Sequence, residues 1–335
     1  MGPLKPRKRI IVSHIPEHAD EMLAEWIFRK YGQRRFAWDE RNPVQTLYAT
    51  SDEEVLSFIG GREADCVVIG MLGYDYNGPK GLTIFDEHGK NGRMPNTTSA
   101  DLVAKYLGVS HLPELKMLLD EIRKADTQSG QQQLELGQLL KVMAGYGTLH
   151  VDEMTSFIFA AFDAYHARAV EFNETCAHEF QKHGVMETLN GFKIAFVESD
   201  LRSMNGWCRS KKGADIIVQM RQNGSVQMFI RTTERNKAGV CAIARAIMQA
   251  EFDHAANLNV ELVDLVEQFD KIVASGKGRD LPGAEHWYYF HEAGQLLNGS
   301  TTHPNIRPTE LSRSEIARAV RKGLSSIPPL TKTTQ

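Results

Sequence analysis

The sequence predicts an α/β fold in which a parallel-sheet N-terminal domain is joined by a long helix to a smaller α+β C-terminal domain. Three observations favour this prediction. The first half alternates short apolar, β-branched runs with amphipathic helical stretches, which is typical of βαβ units. Residues 154–180 form a helical stretch long enough to connect two domains. The second half contains a hairpin signal, Asn223-Gly224, between two apolar runs.

The length of 335 residues is long for one domain and comfortable for two. We place the boundary near Gly184, after which the composition shifts towards strands. The expected organisation is a first domain at residues 1–183, which includes the helical linker, a second domain at residues 184–325, and a tail at residues 326–335.

The composition limits the function classes. With 42% hydrophobic and 24% charged residues the chain is typical of globular proteins, and its net charge of −3 argues against nonspecific nucleic-acid binding by the whole surface. No apolar run reaches the ~18 residues of a membrane helix, and the basic start lacks the apolar segment of a secretion signal. Four scattered cysteines indicate reduced thiols. We therefore expect a cytoplasmic protein without membrane partners.

The elements of the first domain are predicted from apolar periodicity and from the residues that end each element. Pro16 ends the first strand because proline cannot donate to a sheet, Ser51 caps the second helix, and Gly108 stops the third. Strands are predicted at residues 9–15, 45–49, 65–70 and 82–85, and helices at residues 19–31, 52–58, from a cap at 97–101 to Gly108, 112–125, 134–143 and 154–180.

The second domain is predicted to contain a sheet with helices packed on it. Asn223 and Gly224 are expected to supply the positive φ angles of a tight turn between two strands. Strands are predicted at residues 193–197, 215–220, 226–231 and 287–290, a glycine-rich loop at residues 294–299, and helices at residues 238–256 and 312–322.

Imidazoles and carboxylates follow the predicted strands of the first domain. In an open α/β sheet the carboxyl ends of the strands form the edge where ligands bind, so we expect these side chains to meet there. Carboxylate and imidazole ligands together suit Mn²⁺, Fe²⁺ or Zn²⁺, and two such metals can clamp a phosphoryl group. The candidates are His14, His18, Asp20, Asp86, Glu87, His88 and Asp126.

The spacing of these residues resembles the DHH phosphoesterase superfamily and, within it, the melanocyte-proliferating-gene type of exoribonuclease. His14, His18 and Asp20 keep the spacing of the first motif, with His18 where an aspartate is usual. Asp86-Glu87-His88 resembles the Asp-His-His signature, with Glu87 in place of the first histidine. Residues 125–130 resemble the motif that carries the last aspartate ligand, and residues 290–301 resemble the strand and glycine-rich loop that grip substrate.

The resemblance implies metal-dependent hydrolysis, by a metal-bound hydroxide, of a phosphoester or phosphodiester in a nucleotide or short nucleic acid. It implies a divalent metal, expected to be Mn²⁺, with His88 contacting the phosphate or protonating the leaving oxygen and Glu87 completing the site. The expected metal ligands are His14, His18, Asp20, Asp86 and Asp126, and the expected substrate contacts are Arg93, His291, Asn298, Gly299 and Ser300.

One departure from the family pattern concerns the strand that ends at Gly70. The family ends this strand with an aspartate that bridges two metals, but residues 67–70 contain no carboxylate, and Asp75 lies beyond them in the loop. The number of bound metals, one or two, therefore stays open, and so does the question of whether the protein forms a homodimer. Three other interpretations remain: a module that binds a nucleotide or RNA without cleaving it, a structural or interaction protein, and a metal hydrolase acting on amides.

Overall fold

The computed structural model describes residues 8–14, 18–36, 38, 43–79, 81–127, 135–147, 150–255, 261–299 and 305–329. These residues fall into two compact units, Met1–Val170 and Glu171–Gln335. One unit contains a parallel sheet with helices and the other a mixed sheet with helices, so the predicted two-domain α/β fold is confirmed. Pro16, Gly130, Ser300 and the tail residues 330–335 lie outside the described residues.

The sheet of the first unit contains four parallel strands in the order β2-β1-β3-β4. They are β1 (Ile10–His14), β2 (Gln45–Ala49), β3 (Cys66–Ile69) and β4 (Thr83–Phe85). The register pairs Ser13 of β1 with Ile69 of β3, and Ile69 with Phe85 of β4. Because the strands are parallel and in register, the residues that follow these three positions, His14, Gly70 and Asp86, emerge at one edge.

Helices cover both faces of this sheet, as its buried β-branched strands predict. Val67 and Ile69 pack in one apolar cluster with α1, α3 and α4, while Val68 packs on the other face with α2. Ser51 caps α2, and Thr98 with Asp101 forms a capping box on α3. The helices are α1 (Ala19–Phe36), α2 (Asp52–Ile59), α3 (Ser99–Leu107), α4 (Pro113–Thr127), α5 (Leu136–Tyr146) and α6 (Val151–Val170).

In its described part the second unit has a seven-stranded sheet in the order β5-β6-β7-β8-β11-β10-β9, with the β6–β7 pair parallel and the other pairs antiparallel. Its strands are β5 (Gly184–Leu189), β6 (Phe192–Glu198), β7 (Ile216–Met220), β8 (Val226–Ile230), β9 (Arg279–Leu281), β10 (Ala284–Phe290) and β11 (Gln295–Asn298). Its helices are α7 (Cys176–His183), α8 (Met204–Trp207), α9 (Glu234–His254), α10 (Leu262–Ser275) and α11 (Arg313–Ser325).

Three local predictions need correction. The helix predicted at residues 154–180 is interrupted by a π-helical turn, Glu171–Thr175, between α6 and α7. The predicted loop at residues 294–299 contains a strand, β11, because its backbone pairs with β8 and β10. In the hairpin, Gly224 has a positive φ of 83° but Asn223 does not, since the turn closes with Gly224 N–H donating to the Arg221 carbonyl at 3.0 Å.

Candidate metal centre

The edge that carries the candidate residues is a topological switch point of the parallel sheet. From β1 the chain continues to β2 on one side, whereas β3 continues to β4 on the other side. The connections at the carboxyl ends of β1 and β3 therefore diverge and leave a crevice, which is where open α/β sheets bind ligands. His14 ends β1 at this crevice and Gly70 follows β3.

Three groups of ligand-type side chains lie at this edge, and shared members join them into one cluster. In each group the ligand atoms lie within 4.8 Å of one another. Asp20 belongs to two of the groups and Glu87 to two. We call their union the ligand cluster. The groups are His18, Asp20 and Glu21; Asp86, Glu87 and His88; and Asp20, Glu87 and Asp126.

The predicted metal and catalytic residues are thus brought together, although their roles stay predictions. Six of the seven candidates belong to the ligand cluster. The seventh, His14, stacks edge-on against His18 with ring centroids 5.5 Å apart. His14 also lines an open cleft of about 670 Å³ together with Asp86 and His88. Among the described residues these acidic groups could bind a divalent metal, since carboxylate with imidazole is a suitable donor set.

Asp20 lies at the centre of the cluster and is only 4% exposed. Burial, followed by the nearby charge of Glu87, raises the pKa of Asp20 to about 6. The Ser99 backbone N–H in the first turn of α3 and the Arg93 guanidinium oppose that rise. A buried carboxyl beside a second carboxyl gains from a cation, which would relieve both the repulsion and the loss of hydration.

Asp86 and Glu87 are buried acids that emerge directly from β4. Asp86 accepts hydrogen bonds from the backbone N–H groups of Gly73 at 2.7 Å and His88 at 2.8 Å. Its Oδ1 also lies 3.0 Å from Nδ1 of His88. Glu87 accepts a hydrogen bond from the Ser99 hydroxyl at 2.9 Å. The His88 side chain is 60% exposed, so this imidazole is oriented by Asp86 but open to the cleft.

Glu21 is a candidate ligand that the sequence prediction did not include. Gly70 has a φ of +71°, and a Cβ at this position would lie 2.5 Å from Cγ and Oε1 of Glu21. The Glu21 carboxyl group therefore occupies the space that a side chain at the end of β3 would take. Its adjacency to Asp20 could have marked it in the sequence, but its position over β3 depends on the packing of α1. Asp75 also lines the cleft.

Arg93, whose predicted role as a substrate contact stays a prediction, forms ion pairs inside the ligand cluster. One terminal nitrogen lies 3.2 Å from Glu87 Oε1 and also contacts the Asp126 carboxylate. The guanidinium further donates to the carbonyls of Asp126 and Thr97, each at 3.4 Å. Asp126 stands in the last turn of α4, where the helix dipole also attracts a cation. Arg93 thus occupies the side of the cluster that contains Asp126.

The predicted substrate residues of the second unit differ in their environments. Asn298 is buried, and its amide donates to the His286 and Arg307 carbonyls at 2.9 and 3.0 Å and accepts from Thr309 N–H at 3.0 Å. In this conformation Asn298 holds the chain around Gly299. The His291 imidazole bonds the Tyr289 hydroxyl at 2.7 Å and lines a cleft of about 430 Å³. Ser300 lies outside the described residues.

Comparison with known proteins leaves the family open. No protein-family model and no curated protein matches the chain. Among solved structures it is similar to an uncharacterised protein of Helicobacter pylori G27, at a TM-score of 0.31 and 10% identity over 96% of this chain and 100% of that one. It is also similar to a Methanococcus jannaschii protein provisionally assigned as a family II inorganic pyrophosphatase, at a TM-score of 0.15 and 11% identity over 69% and 89%. Similarities this low do not identify the family of this chain.

Among the described residues, none of the helices combines the length and apolar character that crossing a membrane requires.

Proposed function

We propose that the first unit is a divalent-metal-dependent phosphoesterase of the DHH type. The observation that carries the proposal is the ligand cluster, in which three groups of acids and imidazoles share Asp20 and Glu87 at the switch point of a parallel sheet. The proposed substrate is a phosphoester or phosphodiester of a nucleotide or short nucleic acid, the proposed metal is Mn²⁺, and the proposed location is the cytoplasm. The sequence motifs support this choice of reaction.

A bound divalent metal would supply a strong charge for the phosphate oxygens and would acidify a water molecule. The residues proposed to hold it are the carboxylates and imidazoles that the fold gathers at the switch point, namely His14, His18, Asp20, Asp86 and Asp126. Burial of Asp20 and Asp86 excludes water from their oxygens, which strengthens their attraction for a cation.

His88 is proposed to donate a proton to the leaving oxygen. Its Nδ1 faces Asp86 Oδ1 at 3.0 Å, so a proton on Nδ1 is held by the carboxylate and Nε2 is free to exchange a proton with substrate. Glu87 lies 3.4 Å from the same Nδ1 and is proposed to assist Asp86 in orienting the ring. The exposed His88 side chain is accessible to a phosphoester that enters the cleft.

Residues 184–325 are proposed to bind the substrate. His291 and Gly299, with Ser300, are the proposed substrate contacts, and Asn298 is proposed to hold their loop in place through its three hydrogen bonds. Arg93 is proposed to attract phosphate oxygens because a guanidinium donates to them with fixed geometry.

Hydrolysis assays on short RNA, short DNA and dinucleotides, with Mn²⁺ or with a chelator, test the proposal. We expect turnover that the chelator abolishes and that His14→Ala reduces strongly. His111→Ala is the matched control, since His111 is an exposed histidine of the same unit outside the cluster. Turnover that is equal in His14→Ala and wild type would contradict the assignment.

A second candidate function is a module that binds a nucleotide or RNA without cleaving it. Two observations favour it: Gly70 supplies no carboxylate at the end of β3, and Arg93 already neutralises Glu87 and Asp126. Such a module would gain thermal stability with a nucleotide but show no turnover under any metal condition.

A further inference from the structure

The ligand cluster has two sides, and on one of them an arginine of the chain already supplies a positive charge. One side, at the carboxyl ends of β1 and β3, contains His14, His18 and Glu21. The other side contains Glu87 and Asp126, both of which contact the guanidinium of Arg93. Asp20 belongs to ligand groups on both sides. A cation is therefore built into one side of the cluster by the chain itself.

Arg93 is held in this position by more than its two ion pairs. Its guanidinium donates to the backbone carbonyls of Thr97 and Asp126 at 3.4 Å each. The Asp126 carbonyl belongs to the last turn of α4, so the helix dipole adds to the attraction. The guanidinium is thus held both by the carbonyl of Thr97, just before α3, and by that of Asp126, in the last turn of α4. Its charge is permanent because arginine does not lose its proton in proteins.

A second metal on this side would meet two obstacles. Glu87 and Asp126 would have to exchange their contacts with Arg93 for contacts with the metal. A divalent metal bound to the same oxygens would also lie next to the guanidinium, and the repulsion between the two cations is strong in a partly buried site. The three carboxylates Asp20, Glu87 and Asp126 are then shared between one metal and one arginine.

We propose that Arg93 takes the place of a second metal, so that the chain binds one divalent metal, on the side of His14, His18, Asp20 and Glu21. This inference rests on the proposed function and specifies its metal content, and it removes Asp126 from the proposed metal ligands because Asp126 then pairs with Arg93. Glu21 contributes a carboxylate at the end of β3, where Gly70 leaves room for it. Arg93 contributes the second positive charge of the ligand cluster, as a guanidinium whose position does not depend on metal supply.

The test is the metal content of the full chain after Mn²⁺ loading and desalting, in wild type, Arg93→Gln, Arg93→Lys and Arg123→Gln. Arg123 is the matched control because it pairs with Asp101 and Asp120 in the same unit, outside the cluster. We expect about one metal per chain in wild type, Arg93→Lys and Arg123→Gln, and about two in Arg93→Gln, where Glu87 and Asp126 lose their cation.

The outcomes separate this inference from the proposed function. Two metals in wild type, or one metal in a folded Arg93→Gln variant, would overturn the role of Arg93 while leaving a metal-dependent enzyme in place. No metal in any of the four proteins would overturn both. If Arg93→Gln does not fold, electron paramagnetic resonance of Mn²⁺ in wild type decides, since a spectrum of isolated ions supports the inference and a spin-coupled pair overturns it.

Discussion

Two buried carboxyl groups, Asp20 in the first unit and Glu251 in the second, are almost equally hidden but have opposite environments. They are 4% and 6% exposed. Burial and the charge of Glu87 raise the pKa of Asp20 to about 6. Burial alone would also raise the pKa of Glu251, but hydrogen bonds from His286, Thr309 and Trp287 outweigh it and hold the pKa below its usual value.

The difference shows how a structural buried acid can be told from a candidate ligand. Oε1 of Glu251 accepts from the Trp287 indole at 2.7 Å and the Thr309 hydroxyl at 2.5 Å, and lies 3.1 Å from His286 Nε2. These donors stabilise its negative charge, so Glu251 needs no further cation. Asp20 has the Glu87 carboxylate as its close neighbour, and burial with this neighbour raises its pKa, so a bound metal cation would stabilise its charge further.

The largest expected effect concerns the histidines that pair with buried acids in each unit. His88→Gln removes the proposed proton donor and should lower turnover by about 10²–10⁴-fold with metal content unchanged. His286→Gln removes the histidine beside Glu251 and should leave turnover unchanged below its unfolding temperature. Equal losses in both variants, measured as kcat on a dinucleotide, would remove the distinction between the two units.

The free energy of unfolding should depend more on Glu251, in the second unit, than on Asp20, in the first unit. This is the reverse of the order expected for turnover. Glu251→Met leaves the donors of Trp287, Thr309 and His286 without an acceptor and should lower the free energy of unfolding by about 3 kcal/mol or more. Asp20→Asn should leave it unchanged or raise it, because the fold disfavours the charged form of Asp20 relative to the unfolded chain. Urea unfolding of both variants without metal measures the contrast, and a larger loss for Asp20→Asn would contradict it.

Gly70→Ala tests whether Glu21 contributes to metal binding. Gly70 and Gly108 have nearly the same φ, +71° and +74°, but a Cβ at Gly108 meets nothing within 4 Å. Gly108→Ala should therefore cost about 1 kcal/mol for backbone strain alone. Gly70→Ala should cost more and should also weaken Mn²⁺ binding, because the new methyl group displaces the Glu21 carboxyl group. Equal stability losses, with metal affinity unchanged in both, would argue against Glu21.

The smallest expected effect is a pH dependence of opposite sign for the two acids. The pKa of Asp20 is about 6 in the fold and 3.8 as its ordinary value, so between about pH 4 and 6 the unfolded chain binds fewer protons. Asp20 therefore lowers the stability of the metal-free protein as pH rises through this window. Glu251, whose pKa is lowered, contributes stability that is lost as pH falls. Asp20→Asn should remove the first slope, which unfolding curves across pH would show.

The sequence predicts best what depends on neighbouring residues. Strand β2, the Ser51 cap and the capping box at Thr98 are local and follow the prediction. The sequence also predicts that polar residues after β1 and β4 lie close together, because parallel strands share one carboxyl edge. Strand β11 was missed because Gly294 and Gly299 on either side of it indicate a loop, and because one of its two partners, β8, lies far away in the sequence.

The arrangement within the cluster could not be predicted, because it depends on contacts between distant segments. Arg93 meets Asp126 only when α4 has packed so that its last turn reaches the loop after β4. Glu21 gains its position over Gly70 from the packing of α1 against β3. No local pattern distinguishes an arginine that contacts substrate from one that pairs with the acids beside it.

Titration calorimetry of Mn²⁺ into wild type, Asp20→Asn and Glu251→Gln tests whether the ligand cluster binds a metal through Asp20. Glu251→Gln keeps an oxygen acceptor for Trp287 and Thr309, so it should fold and bind Mn²⁺ like wild type. Asp20→Asn should lose measurable binding, because the residue shared by two ligand groups no longer carries a charge. Binding that is unchanged in Asp20→Asn, or absent from wild type, would contradict the assignment of this edge as a metal centre.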